Sequence, residues 1–320
     1  MKIFGSLALQ GAVLFAVLSQ VSFVQASESC DLGGNFRDTV LNSLGKTLAL
    51  NETSYKLSVV RRDSGAVLCE DSVQADQNIY PASTIKTLVA FAIMRKIDAG
   101  QLKLTQEIAI QQANAAVECQ DWDCSIYGAG KKLTLQRLLW DMITMSNNLA
   151  ANQLIDVATK PFINQTADIL NAHSVQVVRK VYNIQDPEPT NPLHNSATAD
   201  GFVQVFREIS SGRLKILSET GRAFLVNLLK NQHWNDSLNA KWPNTVTFYH
   251  KTGDTSSATA DTGFYILGKN DEYAVILIGL QGFAQFQTCA NCKTISGYDS
   301  LSEIGLSALK LTQRLKGLNL

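Results

Sequence analysis

A chain of 320 residues with 45% apolar and 18% charged residues is long enough and apolar enough for one large core or two modest ones, which excludes a disordered chain. Lys plus Arg number 28 and Asp plus Glu number 28, so no whole-chain field draws the protein to nucleic acid or anionic lipid. Specificity then has to come from local charges.

In chain order, residues 1–26 have the character of a secretory signal. Lys2 is the only early charge, an apolar run follows that is densest from Gly11 to Leu18, and Val24-Gln25-Ala26 places small residues where a signal peptidase reads them. Cleavage after Ala26 and export to the periplasm or medium are expected. The other reading is an uncleaved anchor, but Gln10, Ser19 and Gln20 interrupt the run and leave it short for a bilayer span. No other stretch is suited to crossing a membrane. Six cysteines, Cys30, Cys69, Cys119, Cys124, Cys289 and Cys292, fit an oxidising compartment. The local pairs Cys119–Cys124 and Cys289–Cys292 would leave Cys30 with Cys69, although six cysteines allow 15 connectivities. A zinc site of Cys119, Cys124, Cys289 and Cys292 is the alternative, weakened because only Cys289 and Cys292 are tightly spaced.

Residues 27–50 carry leucines near helical spacing and predict a helix. Tyr55–Val60 and Ala66–Cys69 predict a hairpin about the turn Arg62-Asp63-Ser64-Gly65. Pro81-Ala82 breaks the chain, and Ser83 opens a helix that runs to about Ala99 and stops at Gly100. Helices are predicted from Thr134 and over Asn148–Val157, a proline-punctuated loop over 183–195, and helices again over Ala197–Ile209 and Glu219–Lys230. Val246–His250, Gly263–Leu267 and Tyr273–Leu280 are strand-like, and Leu301–Leu315 closes the chain as a helix. The expected fold is α/β (α+β): an antiparallel five-stranded sheet flanked by helices, with an inserted all-α part. After the signal, residues 27–320 form one catalytic unit, its α/β part 27–86 and 201–320 and its helical part 87–200. The cleft between the two parts is the place to look for a site.

Three short motifs fall on that scaffold in order. Ser83-Thr84-Ile85-Lys86 puts a serine and a lysine on one face of the first helical turn. The serine lies where unpaired N–H groups and the helix dipole favour negative charge, and a lysine held in a dry site can accept its proton. Ser146-Asn147-Asn148 joins two helices, and a capping turn suits it equally well. Lys251-Thr252-Gly253 ends a strand, with a glycine that would let a substrate backbone lie close.

Together these motifs resemble the active-site set of the class A serine β-lactamases and the penicillin-binding proteins, Ser-x-x-Lys, Ser-x-Asn and Lys-Thr-Gly, over roughly residues 35–315. The resemblance implies the β-lactamase/transpeptidase-like fold and acyl transfer through an acyl-enzyme. Ser83 would be the nucleophile and Lys86 its base. Ser146 and Lys251 would relay a proton to the departing nitrogen. Asn148 would hold the substrate amide, and Lys251 and Thr252 its carboxylate. The backbone N–H groups of Ser83 and Asp254, beside Gly253, would form the oxyanion hole. A β-lactam or D-alanyl peptide is the implied small-molecule partner, with neither metal nor organic cofactor, no nucleic-acid or membrane partner after signal cleavage, and a monomer expected. The first reading is β-lactam hydrolysis. A D-alanyl-D-alanine carboxypeptidase or other cell-wall peptidase, and a penicillin-binding sensor without turnover, are the alternatives.

The chain departs from the family pattern in three places. Asn147 stands where many class A enzymes have aspartate. The candidate deacylating carboxylate is Glu188, in Asp186-Pro187-Glu188-Pro189-Thr190-Asn191, which is one residue short of the family's Glu-Pro-x-x-Asn. No arginine occurs in Ala260-Asp261-Thr262-Gly263, and Asp254 adds a negative charge beside the third motif. Histidine-based chemistry is not expected: His250 precedes Lys251 and faces the other way by strand alternation, and no Gly-x-Ser-x-Gly elbow occurs.

Overall fold

The computed structural model describes residues 28–29, 38, 40, 53–115, 127–181, 194–255, 258–282 and 297–314. The signal segment, Glu188, five of the six cysteines and nearly all of the predicted N-terminal helix therefore lie outside the described residues; of that helix, Asp38 and Val40 are helical and Val40 is buried. Among the described residues no helix is long and apolar enough to cross a membrane.

The strands are β1 (Glu28–Ser29), β2 (Thr53–Arg61), β3 (Val67–Val73), β4 (Glu107–Ala109), β5 (Lys132–Thr134), β6 (Phe248–Thr255), β7 (Ala258–Leu267) and β8 (Tyr273–Gly282). The helices are α1 (Lys86–Asp98), α2 (Gln112–Ala115), α3 (Leu135–Thr144), α4 (Asn148–Ala158), α5 (Lys160–Ile169), α6 (Ala199–Ser211), α7 (Glu219–Lys230) and α8 (Gly297–Thr312). The main sheet has the order β1-β3-β2-β8-β7-β6; β4 and β5 make a separate pair beside α3. Its five longer strands are antiparallel throughout. The sixth, β1, corrects the expected helix over 27–50 at its start, since Glu28 and Ser29 are a strand. It pairs parallel to β3 through Glu28 and Ser29, and two residues carry no periodicity to read.

Strand alternation divides the sheet between two cores. On β8, Ala274, Ile276, Ile278 and Leu280 join the helical side, while Val275 and Leu277 join the opposite face. There they meet Tyr55, Leu57 and Val59 of β2 and Leu301, Ile304 and Ala308 of α8. On the helical side α1 is the hub: Leu88 to Met94 are all buried. Its sequence Leu-Val-Ala-Phe-Ala-Ile-Met has no polar face, which marks a helix surrounded by others. Burying each side chain the size of Leu or Phe contributes about 1.5–3 kcal/mol, so this helix is held firmly at its site-facing start. It ends at Gly100, whose φ of +70° suits glycine.

Local signals set the other helix starts. Thr134 caps α3 by accepting from the Arg137 N–H at 3.2 Å, and Asn147 caps α4 by accepting from the Ala150 N–H at 2.8 Å. Strand lengths were less legible. The third motif was expected at a strand end, but β6 continues through it to Thr255, and β7 begins at Ala258, well before Gly263. The register Lys251↔Thr262, Thr252↔Asp261 and Gly253↔Ala260 shows why: the ladder with β7 satisfies the backbone of the motif, which polar residues and a glycine alone do not signal.

Candidate active site

Ser83 lies in a 3₁₀ turn, Ala82–Ile85, that runs directly into α1. The start of the predicted helix is thus more tightly wound than an α-helix. In a 3₁₀ turn residues i and i+3 eclipse, which sets Ser83 and Lys86 one above the other. The Lys86 N–H closes the turn on the Ser83 carbonyl, and both the N–H and the hydroxyl of Thr84 donate to the Pro81 carbonyl, at 3.1 and 2.5 Å. Ala82, just before Ser83, has a φ of +47°, a left-handed conformation costly for an alanine.

The Ser-Asn-Asn turn supplies the facing wall. Ser146 also has a positive φ, +57°, between α3 and α4. The Lys86 amine donates to the Ser146 carbonyl at 2.7 Å and to Asn148 Oδ1 at 2.6 Å, with the Ser146 hydroxyl at 3.3 Å. Lys86 is fully buried. Burial, and then the charge of nearby Lys251, hold its ammonium well below the ordinary lysine range. Once deprotonated, the amine would keep two N–H groups for the carbonyl and the amide oxygen and one lone pair for a hydroxyl.

The edge strand β6 makes the third wall. Gly253 lies against the nucleophile turn: a Cβ there would come within 2.8 Å of the Ser83 nitrogen and 3.0 Å of the Pro81 oxygen. Only glycine lets β6 approach this closely. Lys251 is fully buried and donates to the Thr252 carbonyl at 2.8 Å. Burial pulls its ammonium down to about 7, against the opposing pull of the Asp261 carboxylate.

Ser83, Ser146, Asn148, Thr252, Gly253 and Asp254 line one cavity of about 280 Å³, with Lys86 and Lys251 buried behind it. Sequence reasoning missed the rest of the lining: Met145, Trp234, Asp236, Ser237 and Tyr298. They belong to no motif. The one hint was an aromatic residue among the turn formers of Trp234-Asn235-Asp236-Ser237. That loop rests on α8, where a Cβ on Gly305 would overlap the Leu238 carbonyl. It is also tied to the sheet. His250, buried, is hydrogen-bonded through Nδ1 to Asp261 Oδ1 at 2.8 Å, its Nε2 lies 3.2 Å from Asn235 Oδ1, and Asp261 Oδ2 accepts from the Leu238 N–H at 3.2 Å. Asp261, in the stretch noted for lacking arginine, thus braces this loop. Among the described residues no group of three or more His, Cys, Asp or Glu side chains is disposed to hold a metal ion.

A buried amine below a helix-start serine, a second lysine on an edge strand and backbone N–H groups at the same opening make a site for acyl transfer to serine. The sequence profile of the Beta-lactamase enzyme family matches residues 40–285, and the chain belongs to that family. It is a serine β-lactamase-like hydrolase, an enzyme acting on β-lactam amide bonds. Among solved structures it is similar to a β-lactamase from Sphaerobacter thermophilus DSM 20745 (21% identity, TM-score 0.71, covering 88% of this chain and 97% of that one). A β-lactamase from Xanthomonas campestris pv. campestris str. ATCC 33913 is similar at 17% identity and TM-score 0.71, covering 88% and 99%. PBP-A is similar at 18% identity and TM-score 0.69, covering 87% and 97%, and a variant of it has been solved as an acyl-enzyme complex with penicillin G. No curated protein matches the chain.

Proposed function

We propose that Ser83 carries the acyl group in a hydrolase that opens β-lactam rings. The observation that carries this reading is the buried Lys86 amine, held by Ser146 and Asn148 directly after the Ser83 turn. Lys86, its ammonium held well below the ordinary lysine range by burial, takes the Ser83 proton as Oγ attacks the amide carbon. The N–H groups of Ser83 and Asp254 stabilise the oxyanion, and Ser146 with Lys251 returns a proton to the departing nitrogen. Asn148 and Thr252 orient the substrate. Water then cleaves the ester, with Glu188 as its base.

The test is mass spectrometry of the purified protein with a penicillin over time. Expected is a mass gain of one penicillin, lost again on hydrolysis, absent in Ser83→Ala and persistent in Glu188→Gln. Label on another residue in Ser83→Ala sinks the assignment of the nucleophile. Unchanged turnover in Glu188→Gln removes that residue as the base. The likeness to PBP-A supports a second reading, a cell-wall peptidase that acylates and turns over slowly; a penicillin adduct stable for hours in the wild type would favour it.

Two further features belong to this proposal. The chain is exported with residues 1–26 removed and acts as a monomer. A disulfide joins Cys30 to Cys69; the parallel pairing of β1 with β3, which sets Glu28 opposite Cys69, supports that reading. Thiol counting under denaturing conditions checks it, and a reactive Cys69 would exclude it.

A further inference from the structure

Residues 231–239, which open the loop between α7 and β6, are tied to both motifs that handle the leaving group. On one side the segment is fastened to the end of α3, directly before Met145 and Ser146. Gln232, buried, donates from Nε2 to the Ile143 carbonyl at 3.1 Å, and the His233 N–H donates to the Thr144 carbonyl at 3.0 Å. On the other side it is fastened to the residue directly before Lys251: Asn235 Oδ1 lies 3.2 Å from His250 Nε2. Asn235 joins the two sides. Its amide nitrogen donates to the Gln232 and His233 carbonyls at 2.9 and 3.2 Å, which fixes its oxygen as the atom turned to His250. His250 is itself held from every direction: it is buried, stacked on Phe248 and bonded to Asp261, and a Cβ on Gly263 would come within 2.5 Å of its own Cβ. Neither Gln232, Asn235 nor His250 lines the cavity.

We propose that this segment is a strut that sets the spacing of Ser146 and Lys251 across the cleft, with Asn235 and His250 as its positioning residues. The proposal rests on the acyl-transfer reading above and concerns one step of it, the return of a proton to the departing nitrogen. Ser146 belongs to the helical part and Lys251 to the sheet, and a proton passes between such groups only at hydrogen-bond distances of about 2.6–3.2 Å. Neither motif fixes its distance from the other. Lys86 is held to Ser146 and Asn148 by its own hydrogen bonds, so these three stay together when the strut is cut. Gly253 packs on the Ser83 turn but has no side chain to hold β6 there. Lys251 is then the group left to shift, and the step that suffers is protonation of the leaving group rather than attack by Ser83.

The test compares two acyl donors whose leaving groups differ in their need for a proton. Penicillin G must have its ring nitrogen protonated, whereas the thioester N-acetyl-D-alanyl-thioglycolate releases a thiolate. With the thioester, Ser83 Oγ forms the C–O bond, the C–S bond breaks, its electron pair leaves on sulfur, and the serine proton passes to Lys86 and on to water. Both donors carry a carboxylate, so any change in carboxylate binding cancels in their ratio. Acylation of Ser83 is followed by rapid quench and mass spectrometry in the wild type, Asn235→Ala, Gln232→Met and the double variant. Expected is a loss of about tenfold to a hundredfold with penicillin G in each single variant, the scale of a misplacement of about 1 Å, and a thioester rate within about twofold of wild type. The double variant should lose little more than either single one, as two cuts in one strut do. Equal losses with both donors overturn the proposal, as does an unchanged penicillin rate, or a wild type that penicillin labels and the thioester does not. Asn235 is exposed, so Asn235→Ala decides by itself should Gln232→Met not fold. If both donors acylate the wild type and their ratio is the same in the variants, only this inference falls. If neither donor acylates Ser83, the acyl-transfer reading falls with it.

Discussion

The two walls of the cavity are built on opposite principles. The inner wall, formed by Ser83, Lys86, Ser146, Asn148 and Lys251, is hydrogen-bonded, has both its lysines fully buried, and hangs on the most deeply packed helix. The outer wall, Trp234, Asp236, Ser237, Asp254 and Tyr298, is largely exposed, acidic and aromatic, and is carried by a loop, a strand end and a helix start. Charges in the first wall are shifted by desolvation, and its groups are suited to moving protons. The second keeps its carboxylates in reach of solvent.

The comparison breaks most sharply at Lys86. Lys86→Ala should slow acylation by about two to four orders of magnitude, the usual worth of a general base. Stopped-flow labelling with a fluorescent penicillin measures it. A loss below about tenfold would move the proton-accepting role elsewhere.

Gly253→Ala probes the seam between the walls. Its Cβ would meet the Ser83 nitrogen at 2.8 Å, so β6 or the nucleophile turn must shift. Misplacement by about 1 Å can cost on the order of a hundredfold in rate, and overpacking about 1–3 kcal/mol in stability. Acylation rates and denaturant midpoints of the variant would show both. An unaltered rate would mean that the two elements separate without consequence.

Lys251 gives the inner wall a pH signature. With its ammonium pulled down to about 7, the charged form needed to bind a carboxylate or protonate a leaving nitrogen is lost as pH rises through that value. Turnover of an anionic substrate should fall through about pH 7. The stability effect has the opposite sign. Between about 7 and the unfolded lysine value near 10.4 the unfolded chain binds more protons, so this group makes stability rise with pH across that window. Lys251→Met should flatten that rise by up to about 1.4 kcal/mol per pH unit, measured by urea unfolding at pH 7–9.5. An identical slope in the variant would exclude a depressed Lys251.

The smallest effect is expected at Ser237. Ser237→Ala removes a buried hydroxyl that lacks a partner and should raise stability by about 1 kcal/mol, a few degrees in Tm. Lower stability would mean that the hydroxyl is satisfied in solution.

From the sequence alone, the order of elements, the three motifs and the helix starts at Thr134 and Asn147 could be read, because each depends on neighbours a few residues apart: a cap, a turn former, an i,i+3 pair. The sheet was legible as five antiparallel strands from the alternation in β2 and β8 and the β-rich runs around them. What only the tertiary structure decided lies where distant segments meet. The length of β6 depends on its ladder with β7, the tight start of α1 on the close approach of Gly253, and the brace of His250 on Asp261 and Asn235. Asp236, Ser237 and Tyr298 carry no local pattern, since their common cavity is made by a loop seated on α8 and a strand end. Motifs are short-range facts, whereas the sign of a pocket is a sum over segments that folding brings together.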